Sequence, residues 1–200
     1  MNSLLRNSFF VILLGLNLLL LGCSTSEEEE APVEEVIVEE VVPEFYASLN
    51  KDSSLEDFWE IFRQDAMRSG KIDPGLNRQI ILFYGAEPDF ASGITSDHAG
   101  RAYDICNDNN VRFEVIRSYW EDYSVISRLI TFYHEAGHAR YKYRHPCENG
   151  ESCSFSYDQL PIMWRSIGRG DYTWDNFVED KNLFFSRNWD GIRYFNCGTN

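Results

Sequence analysis

Three of the chain's four histidines, His134, His138 and His145, fall within twelve positions, and the first two frame the run His134-Glu135-Ala136-Gly137-His138. On a helix, residues four apart lie one turn above each other on the same face, so both imidazoles can converge on one metal ion. Neutral imidazole nitrogen binds zinc at about 2 Å, and a catalytic zinc keeps one tetrahedral position for water. Glu135 is turned about 100° around the helix from His134, off the ligand axis but near enough to act as a base toward that water. The spacing thus predicts zinc ligands at His134 and His138 and a general base at Glu135. The competing reading is an accidental pair on an exposed helix face. Leu129, Ile130 and Tyr133 argue against it, because they bury the helix and put the histidines where a cleft opens between buried and exposed faces. Gly137 inside a helix costs about 1 kcal/mol against alanine, which predicts the close approach of another backbone.

The third histidine needs a break in the helix. If the helix ran on, His145 would lie about 10.5 Å along the axis from His138, too far to share one ion. Pro146 disfavours the α conformation at His145, so the helix is expected to end at or before Arg144 and the chain to turn His145 back toward the metal. His98, in Ser-Asp-His-Ala-Gly, reads as a loop histidine, and the eleven tyrosines give no basis for choosing an oxyanion donor.

The elements that must position these residues follow from periodicity and capping. Ser54-Leu55-Glu56-Asp57 opens a helix carrying Leu55, Phe58, Trp59, Phe62 and Ala66 at helical spacing, with Gly70 as its stop. Asp73-Pro74-Gly75 marks a turn, Gln79 to Tyr84 a strand, and Gly85 to Gly93 a loop. Ala102 to Cys106 and Val111 to Ile116 flank Asn107-Asp108-Asn109-Asn110 as a β-hairpin, with Val111, Phe113 and Val115 on one face. From about Ser124 the stripe Val125, Ile126, Leu129, Ile130, Tyr133 marks the site-bearing helix. A loop-rich stretch covers 146–172, and a last helix covers Trp174 to Phe185, with Phe177, Leu183 and Phe184 apolar. The sum is an α+β domain.

The N-terminal fifth is a different material. A short polar start with Arg6 precedes the apolar run Phe9 to Leu21, too short for a confident span and laid out as an export signal. An uncleaved anchor helix is the alternative. The run ends in Leu20-Leu21-Gly22-Cys23, which resembles the lipobox of bacterial lipoproteins; the resemblance implies cleavage before Cys23 and lipidation of that residue. Residues 24–44 hold nine glutamates and no Lys or Arg, and read as a solvated tether, with an edge strand around Val36 to Val42 as the alternative. The organisation is therefore a signal over 1–22, an anchor and acidic tether over 23–44, and one globular domain over 45–200. Formal net charge is -14; without Arg6 and the tether glutamates it is -6, mildly acidic with no basic patch, which argues against nucleic acid as a partner. Beyond Cys23, the even set Cys106, Cys147, Cys153 and Cys197 fits disulfides in an oxidising compartment. Three pairings exist. The turn-like Glu-Asn-Gly-Glu-Ser segment favours Cys147 with Cys153, leaving Cys106 with Cys197. A cysteine-bound zinc lacks any C-x-x-C pair.

The stretch His134 to His145 resembles the zincin superfamily, and within it the metzincin-like proteins, whose third ligand is a histidine soon after the helix. Tyr141 stands where their turning glycine falls, and His145 comes one residue later, giving H-E-x-x-H-x6-H. That spacing is similar to a family of bacterial metallopeptidases, many of them lipoproteins, with a tryptophan strand end before the helix and a Met-containing turn after it. Ile116-Arg117-Ser118-Tyr119-Trp120 and Leu160-Pro161-Ile162-Met163 fall in the matching places. The resemblance spans roughly residues 111 to 185. It implies a zincin-like domain with a small antiparallel-containing sheet, and Zn2+ held by His134, His138 and His145 with Met163 in the turn. A peptide or protein is the implied substrate, and a lipid-anchored place in the bacterial cell envelope the implied location, facing the periplasm or the cell surface. Zincins with a glutamate ligand suggest the alternative third ligand, Glu179. The reading from another class is a non-catalytic binding or structural lipoprotein that holds zinc for stability alone.

Overall fold

The structure, a computed structural model, describes residues 41–85, 98–146, 161–164, 172–189 and 191–198. The readings of the signal, of Cys23, of the tether as far as residue 40 and of the Cys147–Cys153 pair lie outside them. Val41 and Val42, the described end of the valine-rich stretch, are exposed and outside any strand.

Helix α1, Leu55–Arg68, starts at a reciprocal capping box: the Asp57 N–H donates to Ser54 Oγ at 3.2 Å, and the Ser54 N–H donates to Asp57 Oδ2 at 2.7 Å. Each bond satisfies a donor that the first helical turn leaves orphaned. Strands β1, Gln79–Gly85, β2, Gly100–Tyr103, and β3, Asn110–Ile116, form one sheet in the order β1-β3-β2. The hairpin is present, with Gly100 opposite Val115 and Tyr103 opposite Arg112. Its first strand stops at Tyr103 rather than Cys106, because Asp104 takes a left-handed φ of 51° and its carbonyl accepts from the Asn107 N–H at 2.7 Å. β1 runs parallel to β3, from Gln79 opposite Asn110 to Gly85 opposite Ile116, so the sheet is mixed. The architecture is α+β.

One expected strand end is a helix. Arg117–Asp122 forms α2, and its Trp120 is buried edge-on against Phe58 at 4.8 Å. Six residues rarely hold a helix alone. Here the guanidinium of Arg128, itself buried, donates to the carbonyls of Trp120 at 2.7 Å and Glu121 at 3.3 Å, filling acceptors the helix end exposes.

Helix α3, Val125–Tyr141, begins at Ser124, whose Oγ accepts from the Ser127 N–H. The sequence suggests a stripe; the structure buries thirteen of its seventeen residues, including everything from Arg128 to Ala139. Phe132 meets Phe113 of the sheet at 4.9 Å, while Tyr133 meets Phe62 of α1 at 4.9 Å. Helix α4, Trp174–Ser186, closes the other side with Phe177, Phe184 and Phe185, leaving Leu183 half-buried. A helix covered all round has no exposed face, so the accidental surface pair is excluded, and the histidines lie inside the packing rather than at its rim.

A buried carboxylate ties these layers together. Asp65 of α1 accepts from the Tyr46 hydroxyl at 2.7 Å and the Tyr133 hydroxyl at 2.9 Å, and pairs with Lys181 of α4 at 2.7 Å. Burial, reinforced by Asp65, raises both phenols, so they remain donors. Asp65→Ala strands an ammonium and two hydroxyls, and removing one partner of a buried pair costs about 3–5 kcal/mol. Urea unfolding of the variant should show a loss of that size; a loss under about 1 kcal/mol, typical of an exposed pair, would place the network at the surface energetically.

Candidate metal centre

His134 and His138 project from consecutive turns of α3 and are 4% and 7% exposed. His134 Nδ1 lies 2.8 Å from the Ile162 carbonyl oxygen, and His138 Nδ1 lies 2.6 Å from that of Tyr143. A carbonyl only accepts, so each Nδ1 carries the proton and donates it, and each Nε2 of a neutral ring is left as a lone pair. Burial holds His134 well below the usual histidine range, with His138 and His145 adding to the effect, so the neutral form is favoured.

The Nε2 atoms of His134, His138 and His145 form a triangle with sides of 2.9, 3.0 and 3.1 Å. The point equidistant from all three lies about 1.7 Å from each, inside the zinc–imidazole distance of about 2.0–2.1 Å, so such an ion fits just off their plane. Lone pairs turned on one point, on the buried His134 and His138 and the half-buried His145, repel unless a cation lies between them. The three residues could hold a metal ion, and they are the sole such cluster among the described residues. Glu179, the alternative ligand, is exposed and outside it. His98 is exposed as well.

How His145 returns differs from the expected route. The helix stops at Tyr141, four residues before His145, and Lys142 takes the left-handed conformation, φ 59° and ψ 28°. The turning role belongs to Lys142, one position beyond the missing glycine. A non-glycine residue pays about 1–2 kcal/mol there. Three contacts offset it: the Lys142 N–H donates to the His138 carbonyl at 3.2 Å, its ammonium pairs with Asp108 at 2.6 Å, and its carbonyl accepts from the Phe195 N–H at 2.8 Å. Strand β4, Tyr143–Arg144, then pairs antiparallel with β5, Arg193–Tyr194. Pro146 is compatible with this exit but does not cause it.

Met163 and Gly137 explain each other. A Cβ on Gly137 would lie 2.5 Å from Met163 Sδ and 2.9 Å from Phe184 Cε2. The close neighbours are therefore side chains, not the backbone expected. Met163, fully buried, follows the residue whose carbonyl orients His134, within a turn closed by the Trp164 N–H to the Pro161 carbonyl at 2.8 Å.

Glu135, 4% exposed, faces β2. A Cβ on Gly100 would lie 2.7 Å from Glu135 Cγ and 2.9 Å from its Oε1, so only glycine leaves room for this carboxyl. Burial pushes Glu135 up to about 8; Glu114 adds to the rise, and the Ala102 N–H and Arg101 oppose it. Gly100 and the carbonyls of Ile162 and Tyr143 escaped the sequence reading. A carbonyl carries no residue-type signal, and a glycine opening a strand is readable only once its neighbour is known.

In the metal-free chain Glu135 titrates near 8 when folded, against 4.5 ordinarily. The folded form then holds the extra proton, so this contribution to stability is full below about pH 4.5 and is lost as pH rises through about 8. Glu135→Gln should therefore flatten the decline in stability between about pH 5 and about pH 8.5 in chelator-stripped protein, read by urea unfolding. Parallel pH profiles for the two proteins would contradict the burial of that carboxyl. No family model, no curated protein and no solved structure matches the chain.

Proposed function

We propose that the chain is a zinc-dependent peptidase of zincin-like type, held at the bacterial cell envelope by a lipid on Cys23. The observation that carries this reading is the triangle of imidazole nitrogens on the buried His134 and His138 and the half-buried His145, two of them fixed as lone pairs by carbonyls, with a buried carboxyl raised toward neutrality on the helix of the first two. His134, His138 and His145 hold the ion. Zinc there supplies Lewis acidity, polarising a peptide carbonyl and acidifying water toward neutrality.

The chain's own residues do the rest. Glu135 takes the proton of the attacking water onto a carboxylate oxygen and passes it to the leaving amine, a role suited to a group poised near the working pH. Glu135 accepts as its carboxylate, the form that a cation held by the three histidines would favour. Gly100 and the Ala102 N–H hold that carboxylate against β2, an edge strand of the sheet. The Ile162 and Tyr143 carbonyls keep both imidazoles in the tautomer that presents Nε2. Met163 fills the space beside Gly137 and thereby seats the turn bearing the Ile162 carbonyl.

Glu135→Gln preserves shape and removes the base. Purified variant should retain about one zinc per chain while cleavage of a peptide library falls about 10²–10⁴-fold. Wild-type turnover in the variant would place the chemistry elsewhere. Zinc uptake without cleavage by the wild type would leave the non-catalytic lipoprotein, whose zinc serves the fold alone.

The anchor has its own test. No helix among the described residues is long and apolar enough to cross a membrane. Cys23→Ala should abolish incorporation of labelled fatty acid in a bacterial host and release the chain from the membrane fraction. Undiminished labelling would reject Cys23 as the lipid attachment point.

A further inference from the structure

Cys106 and Cys197 form a disulfide that spans 91 residues of sequence. Its two ends lie on segments that both hold the helix exit. Cys106 belongs to the turn between β2 and β3, and two residues on, Asp108 of that turn pairs with the Lys142 ammonium at 2.6 Å. Cys197 lies two residues after Phe195, whose N–H donates to the Lys142 carbonyl at 2.8 Å. The path from Cys106 through Asp108, Lys142, Phe195 and Cys197 back to Cys106 is a closed ring, and the disulfide is its only covalent cross-link between the turn and the C-terminal strand.

The ring encloses the positions that shape the metal centre. Lys142 is left-handed there, a conformation that costs free energy and persists only where its surroundings impose it. The next residue, Tyr143, offers its carbonyl to His138 Nδ1 and pairs with Tyr194 of β5. The Phe195 ring lies edge-on to the His138 ring at 5.8 Å, and His145 follows two residues after Tyr143. The acceptor that orients one ligand, and the strand that delivers another, are thus both fastened to the cross-linked C-terminal segment.

We infer that the Cys106–Cys197 disulfide and the strand it secures are positioning elements for the metal centre, acting through His145 and, by way of the Tyr143 carbonyl, through His138, so that metal affinity depends on the cross-link. This rests on the metal-site reading given above. Opening the ring leaves β5 held to β4 only by a two-residue pairing and the Phe195–Lys142 hydrogen bond, and so loosens the surroundings that impose the Lys142 conformation. The site then falls back toward two ligands on one helix, His134 and His138.

The test measures zinc affinity of the full chain by competition with a chromophoric chelator, in wild type and in two variants. Cys106→Ser/Cys197→Ser opens the ring. Phe195→Pro keeps the disulfide but removes the N–H donated to Lys142, and so serves if the double-serine chain fails to fold. Each is also made in a His145→Ala background. Outer-shell changes of this kind typically lower metal affinity about 10–100-fold. That fall is expected with His145 present, and a smaller one, through the Tyr143 carbonyl on His138 alone, once His145 is absent. Unchanged affinity in the variants, or an equal fall in both backgrounds, would overturn the inference and leave the disulfide a general stabiliser. A wild type that takes up no zinc would instead remove the metal-site reading on which the inference stands.

Discussion

The burial of α3 on all sides imposes one requirement from which much of the structure follows: every polar group it carries must find a partner inside the protein. Through the middle of the helix this is met, mostly from other elements; at its end Arg140 Nε and the Tyr141 hydroxyl have no hydrogen-bond partner among the described residues. Arg128 caps α2 and reaches the Lys51 carbonyl, Thr131 donates back to Ser127, Tyr133 donates to Asp65, and Glu135 is met by the Ala102 N–H. His134 and His138 donate from Nδ1 to Ile162 and Tyr143. The acceptors left turned toward one another are the Nε2 atoms, gathered with that of His145. Concentrating three acceptors at one buried point is unfavourable for an apolar core and favourable for a cation, and this is why the cluster reads as a site rather than as packing.

The same requirement marks where the sequence was legible. α1 and α3 announce themselves by caps and period, signals contained in a few neighbouring residues; the Ser54–Asp57 box and the Ser124 cap stand where those signals place them. The His134–Glu135–His138 spacing is likewise local. The parallel pairing of β1 with β3 is not, since it joins segments some thirty residues apart. Nor is the two-residue pairing of β4 with β5, too short to carry a period at all. The strand end at Trp120 is implied by the family resemblance alone, since the alternating pattern stops at Ile116. What overrides it is Arg128, eight residues on, whose guanidinium stabilises a short helix that its own sequence would not sustain.

Absence of a turning glycine at position 141 looked like an obstacle to His145, and the structure shows how the obstacle is met. Lys142 accepts the left-handed conformation because its side chain and both its backbone polar groups are engaged. A glycine would lower the conformational cost of the turn but would also surrender the ammonium that pairs with Asp108. The longer spacing to His145 has a matching cause: two residues of β4 intervene between the turn and the ligand, and one of them supplies the carbonyl that orients His138.

Two glycines show how closely site and core are joined. At Gly137 the missing Cβ admits Met163 and the Phe184 ring; at Gly100 it admits the Glu135 carboxyl. In both cases the space is filled by a group that serves the metal centre, directly or through its neighbour. Met163 is seated against α3, so the preceding carbonyl, that of Ile162, is brought to His134 Nδ1. A side chain at 137 would push the turn outward and cost His134 its acceptor before it disturbed any of the three Nε2 atoms. The tautomer of His134 would then no longer be fixed, and the proton could move to Nε2, where it would occupy the ligand position itself. The glycine thus acts on the metal centre by way of hydrogen-bond direction, two contacts removed from any ligand atom.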